Sequence, residues 1–369
     1  MMGYVSILLL LSLFIPIAII LTSIPFLTRK TESFGVSIPE KEYDSPILKS
    51  WRKRYVVIML ITSLILIIAF FSIGAPLSNN EQNISIFFAC SILVYLAVAF
   101  LIYLSFHKKM KQLKKDSNWT AHKQQTIAIR TDFRTQKLHY SNLFYAIPFG
   151  ITLLTAVLTY VFYSSLPDTL PVRINTFSGS LSSVETTIRS AFFLPIMQLY
   201  LLLVFVLLNT VIARSKQQLN AEDPERSYQQ LKVFRRRWSL FLLLTSILLT
   251  ALFSFIQWTY FYQPDPAVIT YISLAITGMI VVAAMILSFS TGQGGSRITY
   301  SSGQEPTRID RDDDTYWKLG QFYVNKHDPS LFLEKRFGVG WTINFARPLA
   351  WMILIGIIAT AISLPLLLM

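Results

Sequence analysis

Eight uninterrupted apolar runs dominate this chain, at roughly residues 4–27, 55–75, 85–106, 143–163, 189–212, 238–261, 266–289 and 348–368. A helix of about 20 residues crosses a hydrocarbon layer of about 30 Å, and each run is long enough to form one. With 53% hydrophobic and only 14% charged residues and a mean hydropathy of +0.49, the sequence lies far outside the range of soluble domains. The expected fold class is all-α integral membrane: eight transmembrane helices, with a small ordered cytoplasmic module of turns and short strands before the last. The first run, YVSILLLLSLFIPIAIILTSIPFL, has no basic residue ahead of it and exceeds a typical signal-peptide core, so it reads as a retained span.

Lysine and arginine stay on the cytoplasmic side of a membrane protein. With the N-terminus outside, the four loops on that side carry 31 of the 33 basic residues, leaving only Arg173 and Arg189 on the other face. This alternation predicts both termini outside. The net charge of +13 is then a topology signal and an attraction to anionic lipid heads, and needs no nucleic acid partner. The single cysteine, Cys90, lies within the third span; it excludes an internal disulfide or a cysteine zinc site and reads as a lipid-facing or packing residue.

The chain divides into a three-span region at 1–142, a four-span region at 143–290, a glycine- and serine-rich linker at 291–307, an aromatic and glycine-rich module at 308–347, and the last span at 348–369. The lysine-rich stretch after the third span predicts a helical extension, and Ile127 and Ile129 alternate with polar neighbours in a strand-like period. Helix-forming stretches flank Pro224, and the Arg235–Arg237 cluster marks a membrane surface. About 40 residues seldom fold alone, so the module is expected to lean on the bundle or the lipid. FGVSIP at 34–39 is echoed by FGVGWT at 337–342, which predicts contact between the first loop and the module.

No Asp, Glu, Lys, Arg or His lies in the eight apolar cores, whereas pumps and proton-coupled carriers keep ionisable groups there. Gln198 and Asn209, about three turns apart on the fifth span, are the conspicuous amides; they read as interhelical hydrogen bonders or as part of a polar path. HExxH, GxxxxGK, GxSxG and GxGxxG motifs are all missing from the sequence, so the expectation is a non-enzymatic chain with no cofactor and no metal. Asp310, Asp312 and Asp314 occupy positions 1, 3 and 5 of an EF-hand-like loop. Thr315 and Gln321 stand where glycine and glutamate are needed, so the run reads as a solvated acidic turn pairing with nearby bases. The rings of Tyr316, Trp317, Phe322, Tyr323 and Trp341 suit a headgroup layer. Gly338 and Gly340 permit a tight turn or close backbone packing. Trp317, Asn325, Asp328, Arg336, Gly338, Gly340, Trp341 and Asn344 are the candidate ligand or partner surface. On the other face Pro167 and Pro171 stop the fourth helix and hold an extended segment, with a turn near Asn175 and Gly179.

Two of these stretches carry a resemblance. YSSLPDTLPVRINTFSG resembles the LPxxxPxxxNxxxG pattern of a bacterial membrane domain also found in SdpI, the immunity protein against the sporulation-delaying toxin. Pro167, Pro171, Asn175 and Gly179 match; Arg173 replaces the usual histidine and Ile174 the usual aromatic, so no histidine-based role carries over. The stretch from Asp312 to Arg347 is similar to a second bacterial module of unknown function, with a YWKxGxFYxN and GxGWTxNF signature. The resemblance implies a bacterial plasma membrane protein of immunity-like or envelope-stress type. Its expected partners are the lipid bilayer and a toxin peptide, a regulator or another membrane protein. A permease or transporter subunit for a peptide or lipid-like substrate is the alternative.

Overall fold

The computed structural model describes residues 2–77, 81–117, 119, 125–126, 138–174, 181–300, 309–310 and 313–368. Eight of its helices are long and apolar enough to cross a membrane: α1 (Met2–Leu27), α2 (Pro46–Leu77), α3 (Glu81–Ser117), α4 (Ala146–Val161), α6 (Phe193–Arg214), α7 (Pro224–Tyr262), α8 (Pro266–Thr291) and α9 (Pro348–Leu368). The one-turn helix α5 (Ile188–Ala191) precedes α6. The protein is a multi-pass membrane protein. Four of the long helices open on proline, whose fixed φ and missing N–H suit a first turn. Ile65, Leu93, Leu101 and many other large apolar side chains point outward, as they must where lipid is the solvent. Cys90 is among the exposed residues.

The chain forms two compact units, each discontinuous in sequence. The first comprises Met1–Gln136, Ser215–Phe234 and Met285–Arg347. Here α1 packs on α2 and α2 on α3, with Phe14 edge-on to Tyr95 at 5.0 Å and the Tyr95 hydroxyl bonded to Ser63 at 2.8 Å. Short antiparallel hairpins cap it: β1 (Glu32–Ser33) with β2 (Val36–Ser37), β7 (Trp317–Lys318) with β8 (Phe322–Tyr323), and β9 (Phe332–Glu334) with β10 (Trp341–Ile343). A parallel pair joins β3 (Gln125–Thr126) to β6 (Ile309–Asp310).

The second unit comprises Lys137–Arg214, Arg235–Ala284 and Pro348–Met369. Thr152, Thr155 and Thr159 form a buried stripe on α4, each hydroxyl bonded back to the carbonyl four residues earlier. The hairpin of β4 (Thr169–Ile174) and β5 (Leu181–Glu185) follows α4, with Pro171 opposite Ser183 and Arg173 opposite Ser182. The predicted extended segment is therefore one strand of a pair. Asn175 and Gly179 lie outside the described residues, as do Ile127, Ile129 and Asp312.

Three expectations change. The fifth span starts at Phe193 rather than near 189, because the Thr187 hydroxyl accepts from the Ser190 amide and caps a separate turn first. Residues 215–223 are not helical: the Lys216 amide donates to the Phe332 carbonyl, and Asn220 and Asp223 side chains take local amides. The start of the predicted flexible linker is a packed turn. Gly292, Gly294 and Gly295 take φ of 61°, 61° and 82°, and Gln293 is fully buried. The last part of that linker, 301–307, lies outside the described residues, as does residue 308 of the module.

Candidate functional site

The candidate site belongs to the first unit. A two-residue turn between β1 and β2 needs positive φ at both positions, and Phe34 (45°) and Gly35 (76°) supply it. Leu319 (53°) and Gly320 (71°) turn the chain between β7 and β8. The two turns abut: a Cβ on Gly35 would sit 2.6 Å from the Gly320 carbonyl oxygen and 2.9 Å from its Cα. Tyr103 donates to the Leu319 carbonyl at 2.8 Å, and His107 Nδ1 lies 2.8 Å from the Phe34 carbonyl. The contact predicted from the FGVSIP and FGVGWT echo is present, with Phe34 stacked on Phe337 at 6.0 Å and on Phe106 at 5.0 Å.

Arg336 is the hub. It is only 3% exposed and forms ion pairs with Asp313 and Asp314. Its Nη1 lies 3.5 Å from the Gly35 carbonyl, and its guanidinium 5.0 Å over the Trp317 ring. Asp314 also accepts from Lys114 Nζ at 2.6 Å, the Ser37 hydroxyl at 2.7 Å and the Ser37 amide at 3.2 Å. Burial alone would raise the Asp314 carboxyl, but Arg336 and Lys114 outweigh it and hold the group well below the usual carboxylate range. The acidic turn pairs with bases as expected, but Asp314 is largely buried rather than solvated. A neighbouring knot joins Arg29 to the fully buried Glu334, to Gln218, and to Glu32 at 3.6 Å.

Glu32 behaves differently from Asp314. Its Oε1 lies 3.6 Å from Arg29 and 3.9 Å from Arg336, and its buried Oε2 makes no hydrogen bond among the described residues. Burial pushes its carboxyl up to about 7; Arg29 and Arg336 pull against this, while Asp313 and Glu334 add to it. The folded chain thus keeps a proton that an unfolded chain releases near 4.5. The stabilisation is complete below that lower value and is lost as pH rises toward about 7. Urea unfolding between about pH 5 and about pH 8 should show a loss of about 2–3 kcal/mol that Glu32→Gln removes. An unchanged slope in the variant would place the titration elsewhere.

A second lock holds the 325–347 segment. Asp328 receives Lys216 Nζ at 2.6 Å, the Tyr323 hydroxyl at 2.8 Å and the Ser330 amide at 2.9 Å. Burial opposes ionisation of Asp328, yet Lys216 and Ser330 bring its carboxyl down to about 2. Its backbone carbonyl accepts both Nε and Nη2 of Arg347. Asn344 is fully buried; it donates to the carbonyls of Asn325 and Asp328 and accepts from the amides of Asn325 and Ala346. The Asn325 side chain reaches the Tyr323 hydroxyl and the His327 amide.

The aromatic rings divide by role. Trp317 and Tyr323 form the module's own core with Leu333, rather than facing a headgroup layer. Trp341 tilts against Phe234 at 5.3 Å and donates to the Ser215 hydroxyl at 3.1 Å. Phe322 is partly exposed. Gly338 and Gly340 take φ of 103° and 113°, and a Cβ at either would meet no neighbour within 4 Å. They are turn glycines; close packing falls to Gly35 and Gly320. The Gly340 peptide exchanges two hydrogen bonds with the amide of Gln293, at 2.7 and 3.0 Å.

Residues 326–351 match DUF5808, a family of unknown function. The match takes in Asp328, Arg336, Gly338, Gly340, Trp341 and Asn344, so it covers the hub and the second lock. No curated protein and no solved structure matches the chain.

In the second unit Gln198 donates to the Thr250 carbonyl and the Ser254 hydroxyl, both at 2.9 Å. Asn209 donates to the Tyr140 carbonyl and to Asn142, and accepts from Ser239 at 2.6 Å. Both amides therefore bond α6 to α7. The sequence reading missed Arg29, Glu32, Gly35, Lys114, Lys216, Gln293, Gly320 and Glu334. The FGV echo was the one signal able to draw the first loop in; the others come together only through long-range folding.

Proposed function

We propose that this is a non-enzymatic protein of the bacterial plasma membrane, with both termini outside, that protects the envelope against a membrane-active peptide or lipid perturbant. The observation carrying this reading is the division of charge. The apolar cores hold no Asp, Glu, Lys, Arg or His, while the buried ion pairs gather in the module before the last helix. Such a chain is poorly equipped to move protons or ions, and well equipped to hold one face in a defined state. The likeness of the 166–180 stretch to the SdpI membrane domain supports immunity, with the β4–β5 hairpin as the contact for the perturbant. The paired, basic loops would then pass the state of the bundle to a regulator.

The permease reading draws on Gln198 Oε1 and Gln257 Oε1, two buried acceptors in the second unit with no donor among the described residues. Transport predicts saturable peptide or lipid flux in proteoliposomes that Gln198→Leu abolishes. Protection predicts that deleting the gene sensitises cells to a membrane-active peptide and that supplying the chain in trans restores resistance. Unchanged sensitivity to every peptide tested ends the protective reading. For the orientation, a cysteine at Glu225 should resist impermeant reagents in intact cells, and its labelling there would reverse it.

A further inference from the structure

The first unit carries a half-open cavity of about 1130 Å³, lined by polar and apolar groups alike, that neither the protective reading nor the family match explains. Ligand sites commonly fall between about 300 and 1,000 Å³, so this space holds more than a few waters. Its walls come from the turn after α1, the segment after α6, the turn after α8 and the module. Leu27 ends α1 and Thr291 ends α8, and the Ser296 hydroxyl donates to the Thr28 carbonyl, so the cavity opens just beyond the apolar ends of two spans. That is the layer where lipid phosphates sit.

The charges in its walls differ in what they have left to offer. Arg29, Lys114, Lys216, Arg226 and Arg336 are each committed to a carboxylate. Lys30 and Arg297 are not: both are exposed, both line the cavity, and neither has a carboxylate partner among the described residues. Arg297 donates through Nη1 to the Phe289 carbonyl at the end of α8, which fixes one edge of the guanidinium. The same walls carry the neutral amides of Gln218, whose oxygen accepts from Arg29, and Asn220, which donates to Glu40; each has a further amide hydrogen whose chemistry suits hydroxyl groups.

We infer that this cavity binds a phosphate ester of a small polyol, with Lys30 and Arg297, exposed cations of its lining, receiving the phosphate and the wall amides meeting the hydroxyls. Arg and Lys are the usual phosphate receivers, and two uncommitted cations at a membrane boundary favour an anion over a neutral sugar. A phosphatidylglycerol headgroup and free glycerol phosphate share this chemistry.

The full chain, in nanodiscs of phosphatidylcholine, distinguishes the sources by its melting midpoint. We expect a saturable rise on adding short-chain phosphatidylglycerol, and at least a tenfold weaker midpoint concentration for the Lys30→Gln, Arg297→Gln double variant. That variant should melt like the parent without ligand. A rise with glycerol phosphate as well identifies a soluble polyol phosphate; a rise with the lipid alone identifies a headgroup. The inference falls if neither probe shifts the midpoint, if short-chain phosphatidylcholine shifts it equally, or if the double variant responds as the parent does. A double variant that melts below the parent without ligand is replaced by Arg297→Lys, which keeps the charge and must keep at least part of the response. Loss of peptide resistance on gene deletion is a separate readout, so this result and that one can fail independently.

Discussion

Replacing Arg336 with alanine should cost the module about 3–5 kcal/mol, the usual penalty for removing one partner of a buried ion pair. Most of that cost lies in what remains. Asp313 and Asp314 would lose their shared guanidinium, Trp317 would lose the cation over its ring, and Asp314 would lean on Lys114 and Ser37 instead. Trp317 fluorescence during urea unfolding of the purified chain should show an early transition that the parent lacks. Arg336→Lys should restore the charge but not the two-pronged geometry, and so recover only part. Removing charge from both sides, as Arg336→Met with Asp314→Asn, should destabilise by less than the two single changes added together, with a coupling of at least about 1 kcal/mol. Strict additivity would mean that the two side chains do not share an interaction.

Gly35→Ala should be comparably harmful, for a different reason. The added methyl meets the Gly320 backbone and the Tyr103 hydroxyl, and backbone cannot step aside as a side-chain tip can. Its left-handed φ of 76° adds about 1–2 kcal/mol of strain to about 1–3 kcal/mol of overpacking. Gly338→Ala is the matched comparison. It also violates φ, at 103°, but its methyl enters open space, so only the strain of about 1–3 kcal/mol applies. The expected order on thermal melting is parent, Gly338→Ala, then Gly35→Ala. The reverse order would show that the two turns do not meet as closely as described.

The spans were legible because lipid imposes one rule on every residue of a run, and a sum over about 20 residues absorbs local exceptions. The module was legible as ordered but not as connected. Asp328 and Asn344 stood out as polar residues among aromatics, yet nothing near them in sequence names Lys216 or Arg347 as partners. Glu334 and Glu32 look like ordinary charged residues on short strands, and the distant arginines that face them in the fold, Arg29 for Glu334 and Arg336 for Glu32, are not named by their neighbours in sequence. The glycine-rich stretch after α8 misled for a related reason. Composition cannot separate a flexible glycine from one that lets backbone approach backbone: a Cβ on Gly295 would meet Gln230 main-chain atoms. Arg235 lies next to two other arginines in sequence, yet it is fully buried and donates to the Ile212 carbonyl at the end of α6.

The ion knots of the first unit also order events during synthesis. Arg29, Glu32 and Lys114 leave the ribosome some 200 to 300 residues before Asp314, Glu334 and Arg336. While the intervening spans are being threaded into the bilayer, those early charges lack these distant partners. Their closure therefore reports that the penultimate span has been inserted, and a nascent chain halted before Arg336 carries a recognisable defect: an open first loop.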